Sequence, residues 1–439
     1  MKLSGWGRYP LIDAKLKSPT SIKELIELIS WGNAIARGNG RSYGDSSISK
    51  QNTICMKNFN RILEFDNKNG LIVVESGVLL SEIISTFLYR GWFPKVTPGS
   101  KYVTIGGMVA CDVHGKNHHK DGSFGNYVEW LDIISSNGEI IRCSRKTNSE
   151  VFNWTIGGMG LTGIVLRIAF YLYPITTSWI KQKTIPAKNI DHAIEIFEEN
   201  LDSTYSVAWI DCLSKGNKLG RSLVILGEHA NVSDLDSNMK RDPLMIKSKT
   251  KIRIPFNFPS FILNYFTVKI FNYIYYSFGK KKNGYKLVDY DTYFYPLDYF
   301  LDWNKIYGSD GFAQFQCVLP LKNAKLGMHE ILNALSFFKS NSFLTVLKRF
   351  GKQESYLSFP MEGYTLALDF PITKKNIDLM KKLDEITLKY KGRFYLAKDS
   401  RMNSCTLEKS DIRFKKYRKF RSSEMKKSFS SVQSERLEL

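Results

Sequence analysis

A chain of 439 residues with 43% hydrophobic and 24% charged residues can bury a sizeable core, which excludes a disordered protein and leaves room for two domains or one elaborate one. Its formal charge of +21 invites an anionic partner, but no helix-turn-helix, zinc-finger or RNA-binding signature accompanies it, so nucleic acid is disfavoured and lysine-rich composition accounts for part of the excess. Six cysteines scattered without a C-x-x-C pair argue against a disulfide scaffold and for reduced thiols.

The opening "MKLSGWGRYPLIDAK" holds no apolar run suited to a signal peptide, and a cytosolic protein is expected. "NAIARGNGRSYGDSS" then reads as a strand running into a glycine loop whose N–H groups suit an anion such as a pyrophosphate. It superficially resembles a Rossmann fingerprint, but "DSSISKQNTICM" is not the amphipathic helix that motif needs. A plain surface turn is the alternative. "GLIVVESGV" is a β-branched strand, followed by a helix "SEIISTFLYRGW" with Ser81 as its N-cap. Two further glycine pairs beside apolar strands follow, in Thr97–Gly115 and Ile156–Val165, with an Asn137-Gly138 hairpin turn between them. Three such loops are hard to explain as turns, and together they suit the main-chain wrapping of an extended dinucleotide.

The stretch "CDVHGKNHHKDGS", Cys111 to Ser123, holds three of the six histidines. A metal would use Cys111, His114 and His118 or His119, but no second cluster of soft ligands closes such a site, and no metal is expected. From about residue 178 longer amphipathic helices alternate with strands, "AKNIDHAIEIFEEN" being helical by period. "FAQFQCVLP" places Gln314 and Gln316 on one strand face, and "YTLALDFPI" does the same with Thr365, Ala367 and Asp369. Between them Pro259–Lys282 is strongly apolar and aromatic, with Lys247, Lys249, Lys251 and Arg253 before it and three lysines at its end. Lys269, Asn264 and Asn272 interrupt it and disfavour a spanning helix. A helix in the membrane interface, a lid over a greasy substrate and a buried core helix all stay open. The C-terminal portion is basic and ends in a helix-like "SVQSERLEL".

The order of "ARGNGRSYGDSS", "VTPGSKYVTIGGMVACDVHGKNHHKDGSFGNYV", "GGMGLTGIV", "AWIDCLSKGNKLGR", "GFAQFQCVLP" and "YLAKDSR" resembles the decaprenylphosphoryl-ribose 2′-oxidases, within the vanillyl-alcohol-oxidase-like flavoproteins. The resemblance runs from "GWGR" to the terminal "RLEL". It implies an α+β fold, with a two-part PCMH-type FAD-binding domain (1–177, completed by 391–439) and a sheet-plus-helix substrate cap (178–390). It implies FAD held by Arg37, Gly38, Asn39, Gly40, Arg41, Ser42, Tyr43, Gly44, Gly99, Thr104, Ile105, Gly106, Gly107, Cys111, Asp112, Val113, His114, Val165, Tyr395 and Lys398. Flavin N5 would take hydride while Lys398 or Tyr43 handles the hydroxyl proton, with His114 by the isoalloxazine and Gln314 and Gln316 orienting the sugar. Lys116, Trp209, Lys348, Thr365 and Ala367 would meet substrate, Lys116 at its phosphate. A salt-bridge role for Lys398, packing for Tyr43 and a solvated face for the glutamines are the plain alternatives.

The implied reaction oxidises the 2′-hydroxyl of a polyprenyl-phosphoribose to a ketone. A short-chain reductase partner then completes epimerisation to the arabinose form for the cell envelope, at the inner face of the membrane. Thr365 and Ala367 depart from the asparagine and cysteine of related enzymes, so the sugar and the polyprenyl length stay open. In the wider superfamily a histidine of a "G-x-G-H-S" loop bonds the flavin; here Arg41 stands in its place, so non-covalent FAD is expected. A sugar-lactone or alditol oxidase, and a membrane- or nucleic-acid-binding protein on a vestigial flavin fold, are the rival readings.

Overall fold

A computed structural model describes residues 1–246, 249–259, 262–281, 284–340, 342–424 and 428–439. Lys247 and Lys282, two of the basic flanking residues noted above, lie outside the described residues.

Three sheets carry the fold. The smallest is parallel, with Asn52–Cys55 between Leu16–Lys17 and Ala34–Arg37, and the helix Ile22–Ser30 buries Leu25, Leu28 and Ile29 in the same cluster. The chain leaves Ala34–Arg37 through the first glycine loop and meets the strand Asn52–Cys55 with no intervening helix, as the sequence requires of a loop that is not a Rossmann turn. The second sheet is antiparallel, in the order Ile140–Ser144, Val128–Ile134, Ile164–Pro174, Leu71–Glu75 and Ile62–Asp66; Trp92–Pro94 pairs with the far end of Ile164–Pro174. Gly138, with φ +83°, turns the hairpin between Val128–Ile134 and Ile140–Ser144.

One expectation is corrected here. The helix after the β-branched strand is Leu80–Phe87, with Leu79 and not Ser81 at its N-cap. The Glu82 carboxylate accepts the Leu79 N–H at 2.7 Å, and Val103 O accepts the Leu80 N–H, so the chain is drawn into the helix before Ser81 is reached.

The third sheet has eight strands, all pairs antiparallel: Tyr285–Asp289, Trp179–Ala187, Ser222–His229, Tyr205–Ile210, Thr345–Phe350, Gly363–Pro371, Phe312–Pro320 and Arg393–Phe394. Its register puts Gln314 opposite Asp369, Gln316 opposite Ala367, Lys348 opposite Thr365, and Trp209 opposite Val346. Directly paired residues share a face, so these side chains line one side of the sheet. The intervening Phe315, Cys317, Leu347, Leu366 and Leu368 face the other way, into a core with helices Leu321–Phe337 and Lys374–Lys389. Helices, two antiparallel sheets and a short parallel one make the fold α+β.

Tyr265–Lys280 forms a helix capped by Asn264. Its buried stripe is Val268, Asn272 and Gly279, with Asn272 donating to Asp211 at 2.7 Å and Gly279 against Leu223. Its outward residues are the large apolar ones: Phe266 is 73% exposed, Ile270 60%, Tyr273 64% and Phe278 63%. The usual amphipathic arrangement is inverted. Among the described residues no helix is long and apolar enough to cross a membrane.

Candidate active site

Four segments meet on the polar face of the eight-stranded sheet. The first glycine loop packs so tightly that a Cβ on Gly38 would lie 2.1 Å from Thr104 Oγ1, and one on Gly44 2.2 Å from Asp399 O. Asn39 donates to Tyr102 O at 2.8 Å, and the Tyr43 N–H to Ala397 O at 2.9 Å. Arg37 supports this loop from beneath, donating to Ser4 O at 2.7 Å, with a Cβ on Gly40 only 2.6 Å from its guanidinium. Arg41 stacks over the Trp6 ring at 3.9 Å. Ser42 Oγ lies 3.3 Å from Ser47 Oγ.

The second loop enters the short helix Ile105–Ala110, where Thr104 caps the N–H of Gly107 at 3.3 Å and Gly106 packs on Ser76. A Cβ on Gly99 would meet open space. The third loop fastens onto this helix, Gly157 N–H donating to Val109 O at 3.0 Å and Met159 N–H to Ala110 O at 2.8 Å. Val165 is buried beside it. The fourth segment, Tyr395–Arg401, closes the ring: Tyr395 donates to Cys111 O at 3.1 Å.

Asp112 fixes the histidine stretch. It has φ +39° and is fully buried, accepting from Ser123 at 2.6 Å, Gly125 N–H at 2.7 Å and Gln353 at 3.0 Å. Gln353 Oε1 also lies 2.6 Å from His118 Nε2, while His119 Nε2 lies 2.7 Å from Ser203 O. His118 and His119 are thus engaged with Gln353 and Ser203, and Val113 lies buried between Asp112 and His114. His114 points to the sheet, with Nε2 3.2 Å from Gln316 Nε2 and its ring 4.7 Å from Phe350 and 5.3 Å from Tyr395. Burial, reinforced by Lys348, holds its pKa well below the usual range, so it is a neutral imidazole.

Lys398 Nζ sits 3.6 Å over the Tyr43 ring. Its sequence neighbours point elsewhere: Asp399 pairs with Arg436 at 3.0 Å and Arg401 with Asp384 at 2.7 Å. Burial lowers the Lys398 pKa. Lys348 is pushed down to about 8, and Lys116 to about 7, in each case chiefly by burial. Thr365 Oγ1 accepts from Gln316 Nε2 at 3.2 Å and donates to Cys317 O at 2.8 Å.

Two expected substrate residues lie further out. Trp209 packs on Tyr275 of the inverted helix at 4.8 Å, and Lys116 donates to Tyr293 O while lying 4.2 Å from that ring. The site also contains residues that received no role from the sequence. Asp369 is fully buried, accepting from Gln314 Nε2 at 2.5 Å and from the Tyr307 hydroxyl at 3.3 Å. Its place in an alternating strand was visible; its pairing with Gln314 depends on a register that local sequence does not encode.

The donor set fits FAD. Glycine-loop N–H groups, Arg41 and Lys398 are offered, whereas the carboxylates of Asp45 and Asp112 are consumed internally, Asp45 by Arg436 at 2.7 Å. Among the described residues Ser76 Oγ and Ser400 Oγ are buried beside these loops without a protein partner, which suits a polar ligand at the seam.

Comparison with known proteins agrees. Residues 14–144 match the FAD binding domain family. The chain is 34% identical over 417 residues to decaprenylphosphoryl-β-D-ribose oxidase of Mycolicibacterium smegmatis, covering 92% of this chain and 90% of that protein. It is 26% identical to L-gulonolactone oxidase of Bos taurus over 46% of each chain, and 28% identical to cytokinin dehydrogenase 1 of Arabidopsis thaliana over 40% of this chain and 33% of the relative.

Proposed function

We propose a reaction for a chain that belongs to the decaprenylphosphoryl-β-D-ribose oxidase family and is, accordingly, an FAD-dependent oxidoreductase acting on a CH–OH group. Its substrate is a polyprenyl-phosphoryl-β-D-ribose, whose 2′-hydroxyl becomes a ketone. The observation that carries this reading is the polar strip Gln314, Gln316, Thr365 and Lys348, set against His114 and Lys398 from the loops that fit FAD.

FAD, when bound, supplies the hydride acceptor. The chain's own residues do the rest. Lys398, its ammonium disfavoured by burial, offers a lone pair to the hydroxyl proton. Gln314 and Gln316 hold the sugar hydroxyls, and neutral His114 holds Gln316. Lys116 and Lys348 are poor cations in isolation but become good ones beside a phosphate, which offsets the desolvation that lowers them. Residues 1–177 with 391–439 form the FAD-binding part and 178–390 the cap. FAD is held without a covalent bond, since Arg41 cannot act as a nucleophile.

The inverted helix Tyr265–Lys280 supports a place at the membrane's inner face. Its exposed aromatic side meets the acyl boundary, while Lys269, Lys280 and Lys281 meet anionic headgroups. Trp209, in contact with Tyr275, sits where a lipid-linked sugar would pass from that surface to the site. The ketone is then the substrate of a short-chain reductase, which completes epimerisation to the arabinose form.

The decisive experiment is anaerobic flavin reduction by polyprenyl-phosphoribose, other polyprenyl-phosphosugars and free polyols. Bleaching by the first is expected. Bleaching by free polyols or lactones alone would replace this reading with a soluble-sugar oxidase.

A further inference from the structure

We propose that Asp369 is a positioning residue for the oxidation: from behind Gln314, its buried carboxylate makes Lys398 the resting place of the hydroxyl proton. The inference rests on the CH–OH oxidation just described and adds to it the group that sets the strength of its base.

The geometry comes first. Asp369 is fully buried, yet its oxygens meet two neutral donors, Gln314 at 2.5 Å and Tyr307 at 3.3 Å, and no cation within ion-pair distance among the described residues. A buried carboxylate held only by neutral groups is costly unless its charge is used. Tyr307 stacks on Phe312 at 4.2 Å, Phe312 packs on Tyr43 at 5.4 Å, and Lys398 sits over Tyr43 at the other end of this series of rings. The carboxylate and the amine thus meet the two ends of one series of packed rings, at Tyr307 and at Tyr43.

The electrostatics agree. Burial raises the Asp369 pKa, and Lys398 pulls it back; burial lowers the Lys398 pKa, and Asp369 pulls it up. The other groups acting on Lys398 are Lys348, which repels its charge, and Cys111, which burial keeps as a neutral thiol. His114, nearby, is neutral, and burial also keeps Tyr43 and Tyr307 protonated. Asp369 is therefore the negative charge that answers an ammonium at Lys398.

The step balances simply. The carbinol carbon loses hydride, with its two electrons, to FAD and is oxidised to a carbonyl. The O–H bond breaks, its proton forms an N–H bond on neutral Lys398, and the resulting ammonium is the form that the negative charge of Asp369 favours.

The test uses the FAD-loaded full chain with lysine labelled by 13C at Cε, the Lys398 signal being identified by its loss in Lys398→Arg. Because Asp369 favours the ammonium, Asp369→Asn should lower the Lys398 titration midpoint by about one pH unit or more. The pH profile of anaerobic flavin reduction should move the same way. An unmoved midpoint overturns the proposal. A lowered midpoint in a protein that polyprenyl-phosphoribose does not reduce would refute the substrate and support the link to Asp369. Tyr307→Phe, which removes a donor to the charged carboxylate, should lower the midpoint by less. It carries the test if Asp369→Asn does not load FAD, and an unmoved midpoint there, or failure of both variants to load, overturns the role of Asp369.

Discussion

The two faces of the eight-stranded sheet are built from alternate residues of the same strands, yet they obey different rules. On one face Phe315, Cys317, Leu347, Leu366 and Leu368 vanish into a core with two helices, where burial pushes the Cys317 thiol up to about 12. On the other face Gln314, Gln316, Lys348, Thr365 and Asp369 are buried or half-buried as well, with polar groups only partly answered by one another. Removal from water is common to both. It stabilises the apolar face, whereas on the polar face it leaves groups whose charges are expensive and therefore reactive.

Four substitutions separate the two faces. Lys398→Ala should produce the largest change, slowing anaerobic flavin reduction by about 10²–10⁴-fold through loss of the proton acceptor while thermal stability holds. Near-normal reduction would remove Lys398 from the chemistry. Leu366→Ala, one residue from Thr365 but on the apolar face, should cost about 2–5 kcal/mol of stability in denaturant titration and leave reduction per FAD-loaded molecule unchanged. A rate defect there would mean the faces are not independent.

Lys116→Ala should raise the substrate concentration for half-maximal reduction about tenfold and leave the saturated rate nearly intact, because a phosphate contact is remote from the reacting carbon. The smallest effect belongs to Lys348→Met. Burial lowers Lys348 to about 8, so between that pH and the ordinary lysine value the unfolded chain binds the extra proton. The penalty on the native state is thus fully present below about pH 8 and fades as pH rises toward about 10. The variant, free of ligand, should gain about 1 kcal/mol at pH 7 and nothing at pH 10, read by melting temperature. An equal gain at both pH values would assign it to packing.

Much of this division was legible in the sequence. The period-two pattern of "FAQFQCVLP" and "YTLALDFPI" placed the glutamines, Thr365, Ala367 and Asp369 on strand faces, because side-chain alternation is a local property. The three glycine loops stood out as a group by their number. Pairing was not legible: that Gln314 faces Asp369, or Gln316 meets His114, 202 residues apart, follows from register and tertiary packing. The Leu80–Phe87 helix starts early for a similar reason, since Val103, beyond the reach of local pattern, receives its first N–H. For Tyr265–Lys280 the sequence supplied the aromatic content, but only the fold reveals which side is turned outward.

The two-residue strand Arg393–Phe394 has a mechanical consequence. It pairs with Cys317 and Val318 at the edge of the eight-stranded sheet, and the next residue, Tyr395, donates its N–H to Gln316 O at 3.1 Å. Two residues on, Ala397 accepts the N–H of Tyr43 from the first glycine loop. Lys398 is therefore surveyed from both sides of the molecule: its distance to Gln316 is set by one short span of backbone and its distance to Tyr43 by another. The backbone that carries Lys398 is tied to the eight-stranded sheet on one side and to the first glycine loop on the other, so the lysine acts as a fixed datum.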